Sequence, residues 1–365
     1  MKKQLFGLAV TMTAALMSTG SSLAQDKVVN VYNWSDYIDS SVLENFTKET
    51  GIKVVYDTFD SNEILETKLL TGGSGYDVVV PAGPFLARQV QAGVFQKLDE
   101  AKLPNLGNMW PEVMNQLAKY DPANEHAVNY MWGTTGIGYN VDKVKALLGD
   151  VPIDSWDVLF NPENAAKLES CGINIVDAPD ELFAIALNYL GKDGDSKKTE
   201  DLEAGGQVFA DIRPYVRTFN SSAYIEGLAN GDICISIGWS GDILQAKIRA
   251  EEANNGIEIN YLIPKEGTLM WFDNLAIPAD AKNVEEAHAF IDYLMKPEVI
   301  AKSSNYVQMA NGNLASQKFL DAAVFKNPSV YPNEETLDKL FTTSPYEHKE
   351  QRVLTRFWTR IKTGG

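Results

Sequence analysis

Val31-Tyr32-Asn33-Trp34-Ser35-Asp36-Tyr37 is the stretch on which the reading of this chain turns. It closes an apolar, β-branched run that begins at Val28, and Asp39 and Ser40 follow it, ready to cap a helix. The pattern predicts a strand over 28–34 and a helix over 39–50 that stops at Gly51. A strand ending in Trp-Ser-Asp-Tyr delivers two ring faces and a carboxylate to its carboxyl end, the edge at which α/β proteins hold ligands. Taken alone, the stretch reads more simply as a core tryptophan and a turn aspartate. The recurrence of the same pairing downstream shifts that reading.

Working outward, residues 52–59 predict a second strand, and Asp60-x-x-Glu63 a capping box opening a helix to Leu70. The continuous apolar run 76–81 predicts a strand buried on both faces, followed by a helix over 84–92. This βαβαβα rhythm implies a parallel sheet covered on both sides. Residues 130–140 break the rhythm: three glycines among aromatic and β-branched residues suit an extended crossover, a candidate hinge. The run matches neither G-x-G-x-x-G nor a P-loop. A second α/β unit follows, with strands at 171–176, 216–219, 233–237, 257–263 and 270–277. Its helices are expected at 180–190, 224–230, 242–253 and 284–295, and a last one at 350–362 carries an apolar stripe of Val353, Leu354, Phe357 and Ile361. Crossings near 135 and 255 make each lobe discontinuous: 25–135 with 256–308, and 136–255 with 309–365.

The first 24 residues read as an export signal. Lys2 and Lys3 precede a short apolar core at 5–16, and Ser22-Leu23-Ala24 sets small residues before a cleavage point. No Leu-x-x-Cys lipobox is present there, and no later run reaches 18 apolar residues. The chain of 365 residues, 45% hydrophobic, has material for two cores. Its formal charge of −17 argues against nucleic acid and anionic membranes as partners. The two cysteines, Cys171 and Cys234, favour one disulfide over two buried thiols in an exported chain; it would close a loop of about 64 residues and stabilise by roughly 4 kcal/mol.

Enzyme patterns come up short. His126, His288 and His348 stand far apart without metal-ligand spacing, and Gly238-Trp-Ser-Gly241 is not a nucleophile elbow. What stands out is the placing of acids and rings at element boundaries: Trp34 with Asp36 and Tyr37, then Asp180-Glu181, Trp239 with Asp242, and Trp271 with Asp273. Each also reads as a helix cap or a core ring. Together they fit an organic polyamine, whose ammoniums are donors only and whose methylenes pack on rings. A sugar would want Asn, Gln and Arg beside the tryptophans, and a metal would want oxygens without rings.

Tyr32-Asn-Trp-Ser-Asp-Tyr-Ile38, Phe46-x-x-Glu-Thr-Gly-Ile-Lys-Val-Val-Tyr-Asp57, Gly133-Thr-Thr-Gly-Ile-Gly-Tyr-Asn-Val-Asp-Lys-Val144, Ala229-Asn-Gly-Asp-Ile-Cys234 and Ile263-Pro-Lys-Glu-Gly267 closely resemble the periplasmic polyamine-binding proteins of bacterial ABC importers. The resemblance covers essentially the whole chain after the signal. It implies an α/β, type II periplasmic-binding fold with the ligand in a cleft between two lobes, and a Cys171–Cys234 disulfide. It also implies a monomeric periplasmic receptor without cofactor, metal or catalysis that passes spermidine or putrescine to an inner-membrane permease. The implied ligand set is Trp34, Ser35, Asp36, Tyr37, Asp180, Glu181, Trp239, Asp242, Trp271 and Asp273. Ala82 stands where putrescine receptors carry serine, and Met309 where they carry tyrosine. Trp271 occupies a position that is phenylalanine in the putrescine type and tryptophan in spermidine-preferring receptors. The resemblance therefore implies spermidine ahead of putrescine.

Overall fold

The computed structural model describes residues 27–364, so the expected signal at 1–24 lies outside the described residues. Ten strands build one curled sheet: β1 (Val28–Trp34), β2 (Lys53–Phe59), β3 (Val78–Val79), β4 (Ala127–Asn140), β5 (Ile173–Ile175), β6 (Val216–Phe219), β7 (Ile235–Trp239), β8 (Ile259–Leu262), β9 (Met270–Ala276) and β10 (Ala310–Asn311). The order is β2-β1-β3-β9-β4-β7-β5-β6, with β8 and β10 also paired to β4. β1 runs parallel to β2 and β3, and β5 runs parallel to β6 and β7, as the βα rhythm requires. β9 and β4 run antiparallel to their neighbours and join the two parallel halves.

Local chemistry accounts for the opening elements. β1 turns Val29 and Val31 inward at period 2. Asp39 caps the helix Ser40–Thr50 by accepting from the Ser41 amide at 2.8 Å, and Gly51 ends it at φ 73°, a left-handed stop that glycine adopts without strain. Val42 and Phe46, one turn apart, are buried, and Phe46 meets Phe290 edge to face at 5.1 Å. Truncating Phe46 to alanine would cost about 3–5 kcal/mol. The second helix begins one residue later than expected: Ser61, not Asp60, caps Asn62–Thr71 by accepting from Ile64. That displacement leaves the Asp60 side chain free for the cleft.

β4 is the spine. All 14 of its residues are buried, and it pairs with β9 through Thr134 and with β7 from Thr135 onward. The expected crossover is thus a continuous strand shared by both lobes, passing between them at Thr134–Thr135. The return crossing lies later than the expected position near 255. β8 pairs with β4 at 137–140, on the second lobe's side, so the chain returns between Leu262 and Met270. The segment 309–365 is divided as well. β10 pairs with Met131 and Trp132 on the first lobe's side, whereas the terminal helix His348–Thr363 packs on the helices Pro179–Tyr189 and Thr199–Ile212 of the second lobe. That helix buries Leu354, Trp358 and Ile361; Trp358 displaces Val353 and Phe357 to the margin of the expected stripe. Cys171 and Cys234 form a disulfide at a Cα–Cα distance of 5.5 Å beside the adjacent strands β5 and β7.

Candidate functional site

The carboxyl ends of the parallel strands in both lobes face one cavity. Trp34 arrives from the end of β1, Glu181 from the first turn of Pro179–Tyr189, Trp239 from the end of β7, and Asp242 from the first turn of Ser240–Ala253. Trp271 and Asp273 come from β9, two residues apart and hence on one face of the strand. Ser35, Tyr37, Ala82 and Met309 line the same space. Gly133 makes the Trp271 placement possible: a Cβ there would stand 2.6 Å from the indole Cζ2.

The rings are oriented by their polar edges. Trp34 Nε1 donates to the Val80 carbonyl at 3.0 Å, and Trp239 Nε1 donates to the Glu181 carboxylate at 3.1 Å. The two indoles meet at 5.8 Å between centroids, inclined by 65°. Each acid has a hydroxyl donor: Tyr37 donates to Asp273 at 2.7 Å, Tyr224 to Asp242 at 2.8 Å, and Thr135, at the lobe crossing, to Glu181. Tyr37 is in turn fixed by Tyr130, whose hydroxyl donates to the Tyr37 carbonyl at 2.8 Å.

The cavity crowds acids together, and burial favours their protonated form. Burial pushes the Asp273 carboxyl up to about 8, the Tyr37 hydrogen bond opposes the rise, and the charges of Glu181 and Asp242 add to it. Burial likewise raises Asp242 and Glu181 to about 7 each. Among the residues lining the cavity there is no lysine, arginine or histidine. A cation brought in from outside would meet Asp273, Asp242, Glu181 and the exposed Asp60 together with several ring faces.

Two of the expected residues stand elsewhere. Asp36 sits in a turn at φ 52°, is exposed, and does not line the cavity. Its carboxylate pairs with Arg249 at 3.0 Å, and Arg249 also holds Glu226, so the three form a bridge between the lobes outside the cleft. Asp180 is buried but faces a smaller recess adjoining the cavity. Phe59, Asp60, Asn62, Ser221, Ser222 and Ile225 line the main cavity without having been among the expected ligand residues. Phe59 ends β2, and Ser221 and Ser222 follow β6, so the strand-end rule that picked Trp34 also reaches these positions.

A two-lobed α/β fold with a cleft at the strand ends, lined by rings and acids, is the architecture of a solute receptor. Residues 41–331 match the family described as bacterial extracellular solute-binding protein, and the chain belongs to that family. It is 54% identical over 358 residues to the putrescine-binding periplasmic protein SpuD of Pseudomonas aeruginosa, covering 98% of this chain and 97% of that one. It is 52% identical over 365 residues to the putrescine-binding periplasmic protein PotF of Escherichia coli, covering 100% and 98%. Among solved structures it resembles the spermidine/putrescine ABC transporter substrate-binding protein PotD of Streptococcus pneumoniae, with a TM-score of 0.74 at 30% identity, covering 93% of this chain and 99% of that one. Among the described residues no helix is long and apolar enough to cross a membrane.

Proposed function

We propose that the protein is a periplasmic receptor that encloses a linear polyamine, spermidine in preference to putrescine, and delivers it to an ABC permease. The observation that carries this reading is the set of carboxylates, Asp273 and Asp242 buried and Glu181 half-buried, in a ring-lined cavity whose walls hold no basic side chain. Spermidine brings three ammoniums to Asp273, Asp242 and Glu181, with Asp60 as a fourth, exposed acid of the same cavity. Each ammonium also gains about 2 kcal/mol from a desolvated ring face. Trp271 offers a larger face than phenylalanine beside Asp273, Ala82 is bridged to Asp273 across the sheet and takes little space, and Met309 adapts to chain length. The ligand residues are Trp34, Ser35, Tyr37, Glu181, Trp239, Asp242, Trp271 and Asp273. The receptor acts as a monomer after cleavage near Ala24, and its lobes close about the Thr134–Thr135 and 263–269 crossings.

Putrescine as the preferred ligand is the second reading, favoured by the names of the relatives at 54% and 52% identity. Titration calorimetry against putrescine, spermidine and a panel of amino acids and sugars decides between them. Spermidine bound at least tenfold tighter than putrescine upholds the first reading. The reverse order establishes the second, and binding confined to the amino acids or sugars overturns both.

A further inference from the structure

The terminal helix His348–Thr363 inverts the charge of the molecule. It carries Lys349, Arg352, Arg356, Arg360 and Lys362 against a single acid, Glu350, in a chain with 49 acidic and 32 basic residues. Lys362 is neutralised by Asp177 at 2.6 Å. Among the described residues, Lys349, Arg352, Arg356 and Arg360 are exposed and form no ion pair. Glu350 is committed to the helix cap, accepting from the Glu347 amide at 2.9 Å. The three arginines recur every four residues and Lys349 precedes them by three, so all four share one face. Lys349 to Arg360 spans about 16 Å of helix axis. Like charges at this spacing destabilise a helix, and no carboxylate lies along that face to relieve them.

The opposite face is used by the fold: Leu354, Trp358 and Ile361 are buried against the helices Pro179–Tyr189 and Thr199–Ile212. The helix therefore has no apolar face left to insert into lipid, and it offers charge alone. Lys198, exposed at the start of the neighbouring helix, extends the basic ridge, and Lys349 borders the hollow on each side. Asp201 beside it is held by Lys192 at 2.6 Å, and Asp193 and Glu203 stand at the margins. The ridge runs along the lobe boundary: Gln351 accepts from Arg88 of the first lobe at 3.3 Å, and Asp177 lines the recess beside the cleft.

An exposed row of cations, with Val353 and Phe357 half-buried beside it, lacks the core of a protein interface, which is depleted of charge and enriched in aromatic residues. It suits a surface of many diffuse negative charges, the headgroups of an anionic bilayer. The formal charge of −17 opposes such a partner for the molecule as a whole. At physiological salt, however, a charge is felt over only about 8 Å, so at contact the ridge acts and the distant acids do not. We propose that the ridge of Lys349, Arg352, Arg356 and Arg360 is a docking surface for anionic phospholipid headgroups, holding the receptor peripherally on the membrane with its lobe boundary beside the bilayer. The ridge is separate from the main cavity, so the docking stands whichever polyamine the cleft takes.

The test is co-sedimentation of the protein with vesicles of phosphatidylglycerol mixed equally with phosphatidylcholine, and with vesicles of phosphatidylcholine alone. The wild type should bind the mixed vesicles and not the neutral ones, and added salt should release it. The triple variant Arg352→Gln, Arg356→Gln, Arg360→Gln should lose at least tenfold in affinity for the mixed vesicles, with its melting profile and polyamine titration unchanged. Arg356→Gln alone, with a smaller loss, carries the test if the triple variant does not fold. A control with the same change in net charge, Lys48→Gln, Lys53→Gln, Lys119→Gln on exposed positions of the first lobe, should stay within twofold of the wild type. No wild-type binding to the mixed vesicles, binding that ignores lipid charge, or an equal loss in the control overturns the proposal. Retention on immobilised polyglutamate without vesicle binding also overturns it, and assigns the ridge to an acidic protein face.

Discussion

Asp273→Asn is the most informative single change, because one side chain sets both the affinity and its dependence on pH. The carboxyl is buried at the floor of the cleft, fixed by the Tyr37 hydroxyl at 2.7 Å, and no basic protein group lines the space in front of it. Removing the charged partner of a desolvated ammonium costs about 2–5 kcal/mol. The wild type does not recover all of that. Its carboxyl is held at about 8, so at pH 7 binding must first expel a proton, at roughly 1.4 kcal/mol for one pH unit. The asparagine escapes that cost, and the net loss is about 1–4 kcal/mol, some 5- to 1000-fold in dissociation constant.

The sign follows from which form each state prefers. The free protein keeps the Asp273 proton up to about pH 8 and the bound protein gives it up, so affinity rises with pH between 6 and 8 and then levels off. The same raised value makes the carboxyl's contribution to the stability of the free protein greatest below its ordinary value near 4, and lost as pH rises through 8. Calorimetry at pH 6, 7 and 8 in buffers of different ionisation enthalpy measures both affinity and protons released. The expected outcome is weaker binding, a flatter pH profile and less proton release in Asp273→Asn. Unchanged affinity in the variant, or a wild-type affinity that falls from pH 6 to 8, would refute the placing of a cation on this acid.

Tyr37→Phe removes a hydroxyl donor to an ionised acid, worth about 1.5–3 kcal/mol, and should weaken polyamine binding by at least tenfold in the same titration while leaving the Trp34 environment, read by fluorescence, intact. Arg249→Ala breaks the bridge from Asp36 to Glu226; because these groups are part-exposed the effect should stay under about 1 kcal/mol and appear as faster ligand release in stopped flow. Cys234→Ser should lower the melting temperature, since a closed loop of this length is worth about 4 kcal/mol in the unfolded chain, and should leave the order of ligand affinities unchanged. Small-angle scattering should record compaction of the ligand-free protein on adding spermidine, and an unaltered radius of gyration at saturation would argue against hinge closure about β4.

The opening strands and helix caps could be read from the chain because they are set by local signals. Val28–Trp34 and Val216–Phe219 form strands at the residues that β-branched patterning marks, and Asp39 and Gly51 bound their helix as residue chemistry requires. The return crossing could not be read in the same way. β8 is a short apolar strand that either lobe could have paired, and its place beside residues 137–140 is fixed by partners more than 100 positions away. Trp358 escaped notice for a similar reason: its burial depends on Phe183, Phe209 and Phe219, which only the fold assembles against it.

That Asp36 and Asp180 stand outside the main cavity follows from geometry that spacing alone conceals. Trp271–Asp273 and Trp34–Asp36 have the same separation and opposite outcomes. In β9 the backbone is extended through both residues, so period 2 sends ring and carboxylate to the same face and into the cleft. Trp34 is the last residue of β1; beyond it the chain turns, Asp36 takes φ 52°, and the alternation that would have pointed it inward is lost. Asp180 and Glu181 are consecutive residues of one helix, and neighbours in a helix do not share a face. One therefore enters the main cavity and the other the recess. An acid two residues from a tryptophan faces the same space only if a strand continues through both, and two adjacent acids at a helix start face different directions.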